Sequence, residues 1–179
     1  MNGKILAGFI VISALLTGIG IYYFQIYGYY SEVEATGTDD VRLTSRVTGT
    51  PEGIAYDGFE AIDGSSSPIR YRACFTTTAS LDQLSETYEM VEEATPRNAP
   101  GWFECFDAAA IGAELEAGTA LAFMGEENIE YGVDRIVAVT EDGRGYVWHD
   151  LNNCGEKAYD GTVVGDECPP RPGDQGAAD

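Results

Sequence analysis

The sequence predicts an α+β protein in which an N-terminal transmembrane helix precedes a mostly antiparallel sheet of about six strands, with two helices on one face of that sheet. Three observations lead to this prediction. The chain carries no charged side chain from Ile5 to Ser31. Several later segments alternate apolar and polar residues with the period of two that is typical of half-buried strands. Two short segments between them place apolar residues at helical spacing.

The apolar segment 5–30 is long enough to cross a bilayer, which requires about 20 apolar residues. Its far end carries the aromatic residues of a membrane-interface belt: Tyr22, Tyr23, Phe24, Tyr27, Tyr29 and Tyr30. The alternative is a secretory signal, whose apolar core spans about 7–15 residues before a small-x-small cleavage site. Cleavage at the weak match formed by Gly18 and Gly20 would leave part of the hydrophobic block behind. We therefore favour an uncleaved anchor.

Charge predicts the orientation of this anchor. Lys4 precedes the span, whereas Glu32 and Glu34 follow it and the next basic residue is Arg42. The positive-inside rule then places residues 1–4 in the cytoplasm and the body of the chain in the periplasm of a bacterium. On this reading the protein is a single-pass protein of the inner membrane. Its remaining parts are a polar linker (31–40), a periplasmic α+β domain (41–168) and a Pro- and Gly-rich disordered tail (169–179).

The strands follow from alternation and from turn residues. A half-buried strand is predicted at 41–48, where Val41, Leu43, Ser45 and Val47 share one face. Gly58 is a candidate bulge in the next extended segment. The Asp142–Gly143 pair predicts a hairpin between the last two strands. The complete set of predicted strands is 41–48, 54–62, 69–77, 119–124, 133–140 and 145–151.

Two helices are predicted after the third strand. Ser80 opens the first, and Gln83 completes a capping box. An apolar stripe then follows at helical spacing, formed by Leu81, Leu84, Tyr88 and Val91. Asp107 caps the second helix, which ends at Gly118.

The charge balance limits the partners. The formal net charge is −20, and all 30 acidic residues follow position 31. Nucleic acid is disfavoured as a partner, because its binding depends on Lys and Arg that neutralise phosphates. A solvated acidic surface and a partner with a basic face both agree with this composition.

Four cysteines in an exported domain indicate two disulfides with three possible connectivities. We favour Cys74–Cys105 together with Cys154–Cys168. No metal site or cofactor is predicted, because the chain has no Cys-x-x-Cys pair and its one histidine offers no zinc-like spacing.

Four arginines form the most suggestive candidate site. Arg42 and Arg46 share one face of the first predicted strand, and Arg70 and Arg72 share one face of the third. If these strands are neighbours, four guanidinium groups converge and bind a small carboxylate or phosphate bidentately. The more common alternative is that each arginine pairs with a surface carboxylate.

No catalytic residue is predicted. His149 lies beside Asp150, but strand alternation points the two side chains to opposite faces, so we interpret His149 as a structural histidine. Trp102 is expected to pack beside the disulfide of Cys105, and its alternative role is that of an exposed recognition aromatic.

The segment Met1 to Phe9 leading into a tyrosine-rich end, the segment Arg70 to Phe75, and Trp102 before Cys105 together resemble a family of short membrane-anchored proteins from alphaproteobacteria. That family has no assigned function, so it supplies no catalytic residues. The resemblance implies an inner-membrane protein that faces the periplasm.

Three functional hypotheses follow from the sequence. The first is a non-catalytic accessory protein that contacts a partner in a membrane complex, which an apolar patch rimmed by acids would favour. The second is a periplasmic domain that binds or senses a small anion on the arginine face. The third is an envelope hydrolase that uses carboxylates and His149.

Overall fold

The N-terminal part of the chain is a long apolar helix. The computed structural model describes residues 3–37, 39–166 and 168–170. Helix α1 (Gly3–Tyr23) continues into one turn of π-helix (Phe24–Gly28), and none of its side chains is buried. Together they form a helix that is long and apolar enough to cross a membrane. Two predicted segments lie partly outside the described residues: Met1–Asn2 of the predicted cytoplasmic end, and residues 171–179 of the predicted disordered tail.

An antiparallel sheet of six strands forms the centre of the domain, in the order β1-β4-β5-β8-β7-β6. A separate pair of strands, β2 and β3, lies outside it. The strands are β1 (Tyr30–Val33), β2 (Arg42–Thr44), β3 (Pro51–Gly53), β4 (Asp57–Gly64), β5 (Arg72–Thr76), β6 (Ala120–Glu130), β7 (Val133–Thr140) and β8 (Arg144–Leu151). Helices α2 (Leu81–Thr87) and α3 (Ala108–Ala117) complete the fold. The predicted α+β class is confirmed.

Both faces of the sheet are buried, each beneath a different part of the chain. One face carries Ala73 and Val147 and packs against Val41, Leu43 and Leu84, which belong to β2, its flank and helix α2. The opposite face packs against helix α3 and the loop before it, through Trp148, Cys74, Phe106 and Ile111. The prediction that both helices share one face is therefore wrong. Since successive strand residues point to opposite sides and both sides are apolar here, each face requires its own cover.

The local signals in the sequence give the expected structures. Ser80 and Gln83 form the capping box of α2, Asp107 caps α3, and Gly118 ends it in the left-handed conformation. Gly58 has a φ of 61° where the pairing of β4 with β5 shifts its register, so the predicted bulge is confirmed.

Several predicted boundaries differ from those in the structure. Residues 31–40 are not simply a linker, because Ser31–Val33 belong to β1, which pairs with β4. The first predicted helix is shorter than its apolar stripe suggests. It ends at Thr87, and Tyr88 has extended backbone angles and bridges to Ser45.

The structure contains the disulfides Cys74–Cys105 and Cys154–Cys168, the connectivity favoured from the sequence. The first joins β5 to the loop that precedes α3. The second closes a loop after β8 in which Tyr159, Val163 and Val164 are all exposed. The two disulfides thus stabilise different parts of the chain, one next to the core and one outside it.

Candidate functional site

The two edges of the six-stranded sheet differ in whether the chain itself covers them. At the β6 edge, Tyr88–Val91 runs alongside the strand as a covering segment. The Met124 amide donates to the Glu89 carbonyl, and the Val91 amide donates to the Ala122 carbonyl, both at 2.9 Å. The Glu89 amide donates in turn to the carbonyl of Thr44 at 2.9 Å. No described strand pairs with the outer side of β1, so this edge is open.

The register of β1 shows which of its backbone groups face outward. Tyr30 lies opposite Gly64 and Glu32 opposite Ile62, and the Ser65 amide donates to the Tyr29 carbonyl at 3.0 Å. In an antiparallel pair, hydrogen-bonded and non-hydrogen-bonded residue pairs alternate. Ser31 and Val33 therefore direct their N–H and C=O groups toward β4. Glu32 directs its own N–H and C=O groups to the open side.

A groove of about 590 Å³ lies beside this open edge. Its walls come from β1, from β4 and from the loop 102–105. Apolar side chains form part of the lining, among them Ile62, Trp102 and Phe103. Four exposed glutamates also line it, and no lining residue is basic: Glu32, Glu34, Glu60 and Glu104. We call this site the glutamate groove.

The loop that forms one wall of the glutamate groove is fixed to the sheet. The Cys74–Cys105 disulfide ties its end to β5. Phe103 is buried in the core cluster of that face. This wall is therefore held in place without a ligand.

Trp102 connects the same wall to the end of the apolar helix. Its indole N–H donates to the Ile26 carbonyl at 2.7 Å, and its ring stacks on Tyr27 and meets Tyr30 edge-on. Trp102 also packs at the margin of the core cluster that contains Cys74. The indole is half-buried, so it is neither a freely exposed aromatic nor a residue of the deep core. Its position couples the groove to the helix.

The four arginines of the predicted anion site do not form one site, because their strands are not neighbours. Arg42 lies in the separate β2–β3 pair, where it donates to the Pro51 carbonyl at 3.0 Å. Arg46 lies beyond β2 and donates to the Ser85 carbonyl at 3.1 Å. Arg70 lies in a short 3₁₀ turn and covers the ring of Tyr30 at 5.4 Å.

Arg72 is a buried structural residue with 4% of its surface exposed. Its guanidinium donates to the carbonyls of Arg97 and Asn98 at 2.8 and 3.0 Å, and to those of Ile69 and Tyr71. Burial lowers the pKa of Arg72 to about 10, which leaves the side chain cationic at neutral pH. The bonds to Arg97 and Asn98 fix the loop before α3 onto β5, and the four bonds together leave the guanidinium little capacity for a ligand.

His149 is also buried, with 5% of its surface exposed. Its ring stacks on Tyr71 at 4.8 Å, and its Nε2 accepts from the Arg135 Nε at 3.0 Å. Nδ1, which then carries the proton, donates to the Pro68 carbonyl at 2.7 Å. Burial is the main reason that the pKa of His149 falls to about 4. With both ring nitrogens bonded, this geometry is that of a structural histidine.

The groups that ordinarily hold a metal do not converge in the described part of the chain. No set of three His, Cys, Asp or Glu side chains there has an arrangement that fits an ion. The glutamate groove thus offers carboxylates and apolar surface.

The glutamate groove was not predicted from the sequence. The sequence predicts a linker at Glu32 and Glu34, and Glu60 and Glu104 are two acids among many. The one usable signal is Trp102, which lies in a Pro- and Gly-rich loop two residues after Pro100.

The fold and the groove define an acidic α+β domain that follows an apolar helix and presents one open sheet edge. The chain belongs to the family of unknown function DUF6446, which matches residues 41–169. No curated protein and no solved structure shows significant similarity to the chain.

Proposed function

We infer that this protein is a non-catalytic accessory protein, anchored in the bacterial inner membrane by α1, whose periplasmic domain binds a partner through the glutamate groove. The observation that carries this inference is the groove itself, whose lining combines apolar residues with four exposed glutamates beside an open strand. Apolar surface with a polar rim is the usual composition of a protein-binding site.

The dimensions of the apolar helix support the anchor. At 1.5 Å per residue, the 21 residues of α1 extend about 32 Å, close to the roughly 30 Å hydrocarbon core of a bilayer. The aromatic residues at its end suit the lipid–water interface. The two disulfides agree with an oxidising compartment on the far side.

The position of the groove supports a partner in or near the same membrane. β1 begins two residues after the π-helical turn, and Trp102 hydrogen-bonds to that turn. The groove is therefore held a few residues from the end of the span. A domain fixed at this height reaches a neighbouring membrane protein more readily than a soluble one.

Charge supports a partner with a basic face. Each of the four glutamates is exposed, and opposite charge across an interface accelerates encounter and favours the correct partner. Nucleic acid is not expected to bind, since its phosphates would be repelled.

Partner capture with a charge-reversal pair tests this function. The tagged full-length chain is cross-linked in cells, solubilised in mild detergent, and its associated proteins are identified by mass spectrometry. The test variant is Glu60→Lys/Glu104→Lys, in the groove. The control variant is Glu86→Lys/Glu141→Lys, which makes the same charge change at exposed positions outside the groove.

A stoichiometric partner that is retained by the control and lost by the groove variant supports the proposal. Equal retention by both variants removes the groove from the interface. Enrichment of no protein above that obtained with an unrelated single-pass anchor contradicts the accessory role.

A further inference from the structure

We propose that the partner contributes an extended basic segment that adds to the sheet as a new strand next to β1. This inference rests on the proposed function, and it names the kind of segment that the glutamate groove accepts. Addition of a strand to an exposed edge is a general mode of peptide recognition, in which backbone bonds provide affinity and side-chain sites provide specificity.

The backbone of β1 offers hydrogen-bonding groups to an incoming strand. The N–H and C=O of Glu32 point away from β4, and no described residue bonds to them. An incoming strand pairs with both groups at once. The covered edge shows the same pairing completed within the chain, where Glu89 bonds to β6 on one side and to Thr44 on the other.

The glutamate side chains along this edge favour a basic segment. Glu32 and Glu34 are two residues apart, so they project about 7 Å from each other on the same side of an extended chain. A strand that pairs with β1 also repeats its side chains every two residues. Lysine or arginine at alternate positions of the segment therefore matches the carboxylates, and the residues between them alternate to the other side.

The half-buried ring of Trp102 provides apolar surface in the groove. It lies on the same face as Ile62, the residue opposite Glu32, whereas Ile62 and Phe103 are themselves buried in the core. The aliphatic stems of lysine or arginine cover such a surface while their charged ends reach the glutamates. A short acidic peptide would be repelled by the glutamates and lacks the long stems that cover the apolar lining. We therefore infer that the segment is basic.

Charged residues on an edge strand also have a protective use, since they discourage edge-to-edge aggregation. Protection requires only the charges of Glu32 and Glu34. It does not require a groove of about 590 Å³ with a disulfide-fixed wall beside them. The two explanations make opposite predictions for a basic peptide.

The test uses the full-length chain in phosphatidylcholine nanodiscs, whose zwitterionic lipid does not attract a cationic probe. The probe is a peptide of about nine residues, a common strand length, with lysine at alternate positions and threonine or valine between them. Two derivatives of the probe carry N-methyl groups on alternate amides, one set on the lysines and the other on the residues between them. They have the same charge and nearly the same composition, but they block opposite edges of the strand.

Strand addition predicts that one N-methylated peptide binds like the parent while the other binds about tenfold or more weakly, because only one set of amides faces β1. Amide exchange at Glu32 slows when the parent peptide binds. Exchange at Ser31 and Val33, whose amides already bond to β4, slows only as far as the bound peptide stabilises β1 against opening. On the protein side, Glu32→Pro removes the outward N–H and weakens binding more than Glu32→Gln, which keeps it.

Equal binding of the two N-methylated peptides overturns strand addition. If the parent peptide does not bind, the occupant is not a basic segment. If Glu32→Val also self-associates, the role of the glutamates is to protect the edge from aggregation. The proposed function fails separately, in the capture experiment, when no partner depends on Glu60 and Glu104. If a partner depends on the groove but the peptide does not bind, strand addition by a basic segment is contradicted and the proposed function is still supported.

Discussion

Both edge strands of the sheet have outward N–H and C=O groups that require hydrogen-bond partners. The two edges differ in whether the chain itself provides those partners. In β6, the Met124 amide and the Ala122 carbonyl bond to the covering segment Tyr88–Val91, and Glu89 of that segment bonds to Thr44, the last residue of β2. The outward N–H and C=O of Glu32 in β1 lie beside the glutamate groove, and no described residue bonds to them. The chain thus covers part of one edge with its own residues, whereas exposed glutamates lie along the other edge. The covered edge belongs to the folding of the domain, and the open edge is where we place its function.

Proline substitution at matched exposed glutamates separates the two edges most strongly. Glu89→Pro removes the N–H that bonds to Thr44 and leaves that nearly buried carbonyl unpaired. We expect it to lower the free energy of unfolding by about 3–5 kcal/mol. Glu32→Pro removes an N–H that has no partner, so its expected cost is below about 1 kcal/mol.

Chemical denaturation of the full-length variants in detergent micelles, followed by near-ultraviolet circular dichroism, provides the measurement. Comparable losses in the two variants would mean that the β1 edge is paired in solution. That result would remove the asymmetry on which the proposed binding mode depends.

Sequence reasoning succeeded where the signal is local. The capping box of Ser80 and Gln83, the Asp142–Gly143 hairpin and the bulge at Gly58 depend on a few neighbouring residues, and the structure has all three. A cap or turn is selected by its own backbone angles and hydrogen bonds, which do not depend on distant parts of the chain.

The same reasoning failed at both edges, because edge pairing is not local. β1 has the sequence Tyr-Ser-Glu-Val, in which the two central residues are exposed, so no alternating pattern marks it as a strand. Tyr88 and Val91 continue the helical spacing of Leu84. The bonds of Glu89 to Thr44 and Met124, and the bond of Val91 to Ala122, nevertheless place this segment alongside β6. The groove has no local sequence signal for a related reason, since it joins residues that are up to 73 positions apart, from Glu32 to Cys105.

The disulfides offer a second comparison, between the groove wall and a loop outside the core. Replacing Cys74 and Cys105 by alanine removes a cross-link between two positions 31 residues apart and releases one wall of the groove from β5. We expect this change to lower the free energy of unfolding by about 3–4 kcal/mol. Replacing Cys154 and Cys168 frees a loop whose side chains are largely exposed, so the sheet should unfold with nearly unchanged stability. Thermal unfolding of the two double variants, monitored by tryptophan fluorescence, distinguishes them. Equal losses would show that the loop after β8 supports the sheet.

The pH dependence of stability probes the region where the turn after β4 meets β1. His149 bonds to the Pro68 carbonyl, and the nearby Ser65 amide bonds to the Tyr29 carbonyl just before β1. Protonation at Nε2 would break the bond from Arg135 and place two cations together. The pKa of His149 is about 4 in the folded chain, below the ordinary 6.5. The lowered pKa stabilises the fold above pH 6.5, and this contribution is lost as the pH falls toward 4.

We expect this histidine to account for a loss on the order of 3 kcal/mol between these pH values. His149→Gln cannot titrate, so its stability should fall less steeply over the same range, whatever its stability at pH 7. Hydrogen exchange at pH 5 should also show β1 opening before β6. Parallel stability curves for the variant and the natural chain would contradict this role of His149.

The smallest expected effect concerns the link between the groove and the apolar helix. Trp102→Phe keeps an aromatic ring against Tyr27 and Tyr30 but removes the hydrogen bond to the Ile26 carbonyl, which is worth about 1 kcal/mol. The stability of the sheet should change little, because the sheet is built from other contacts.

The orientation of the domain relative to the helix should become less well defined. Fluorescence energy transfer between the lipid and a label at the exposed Tyr159 reports this change as a broader distance distribution. The control is Phe24→Leu, a change at an aromatic residue of the π-helical turn, since Phe24 makes no ring contact with Trp102 in the described part of the chain. If Trp102→Phe leaves the distribution unchanged while weakening partner capture, then Trp102 contacts the partner directly and does not act by holding the groove at a fixed height.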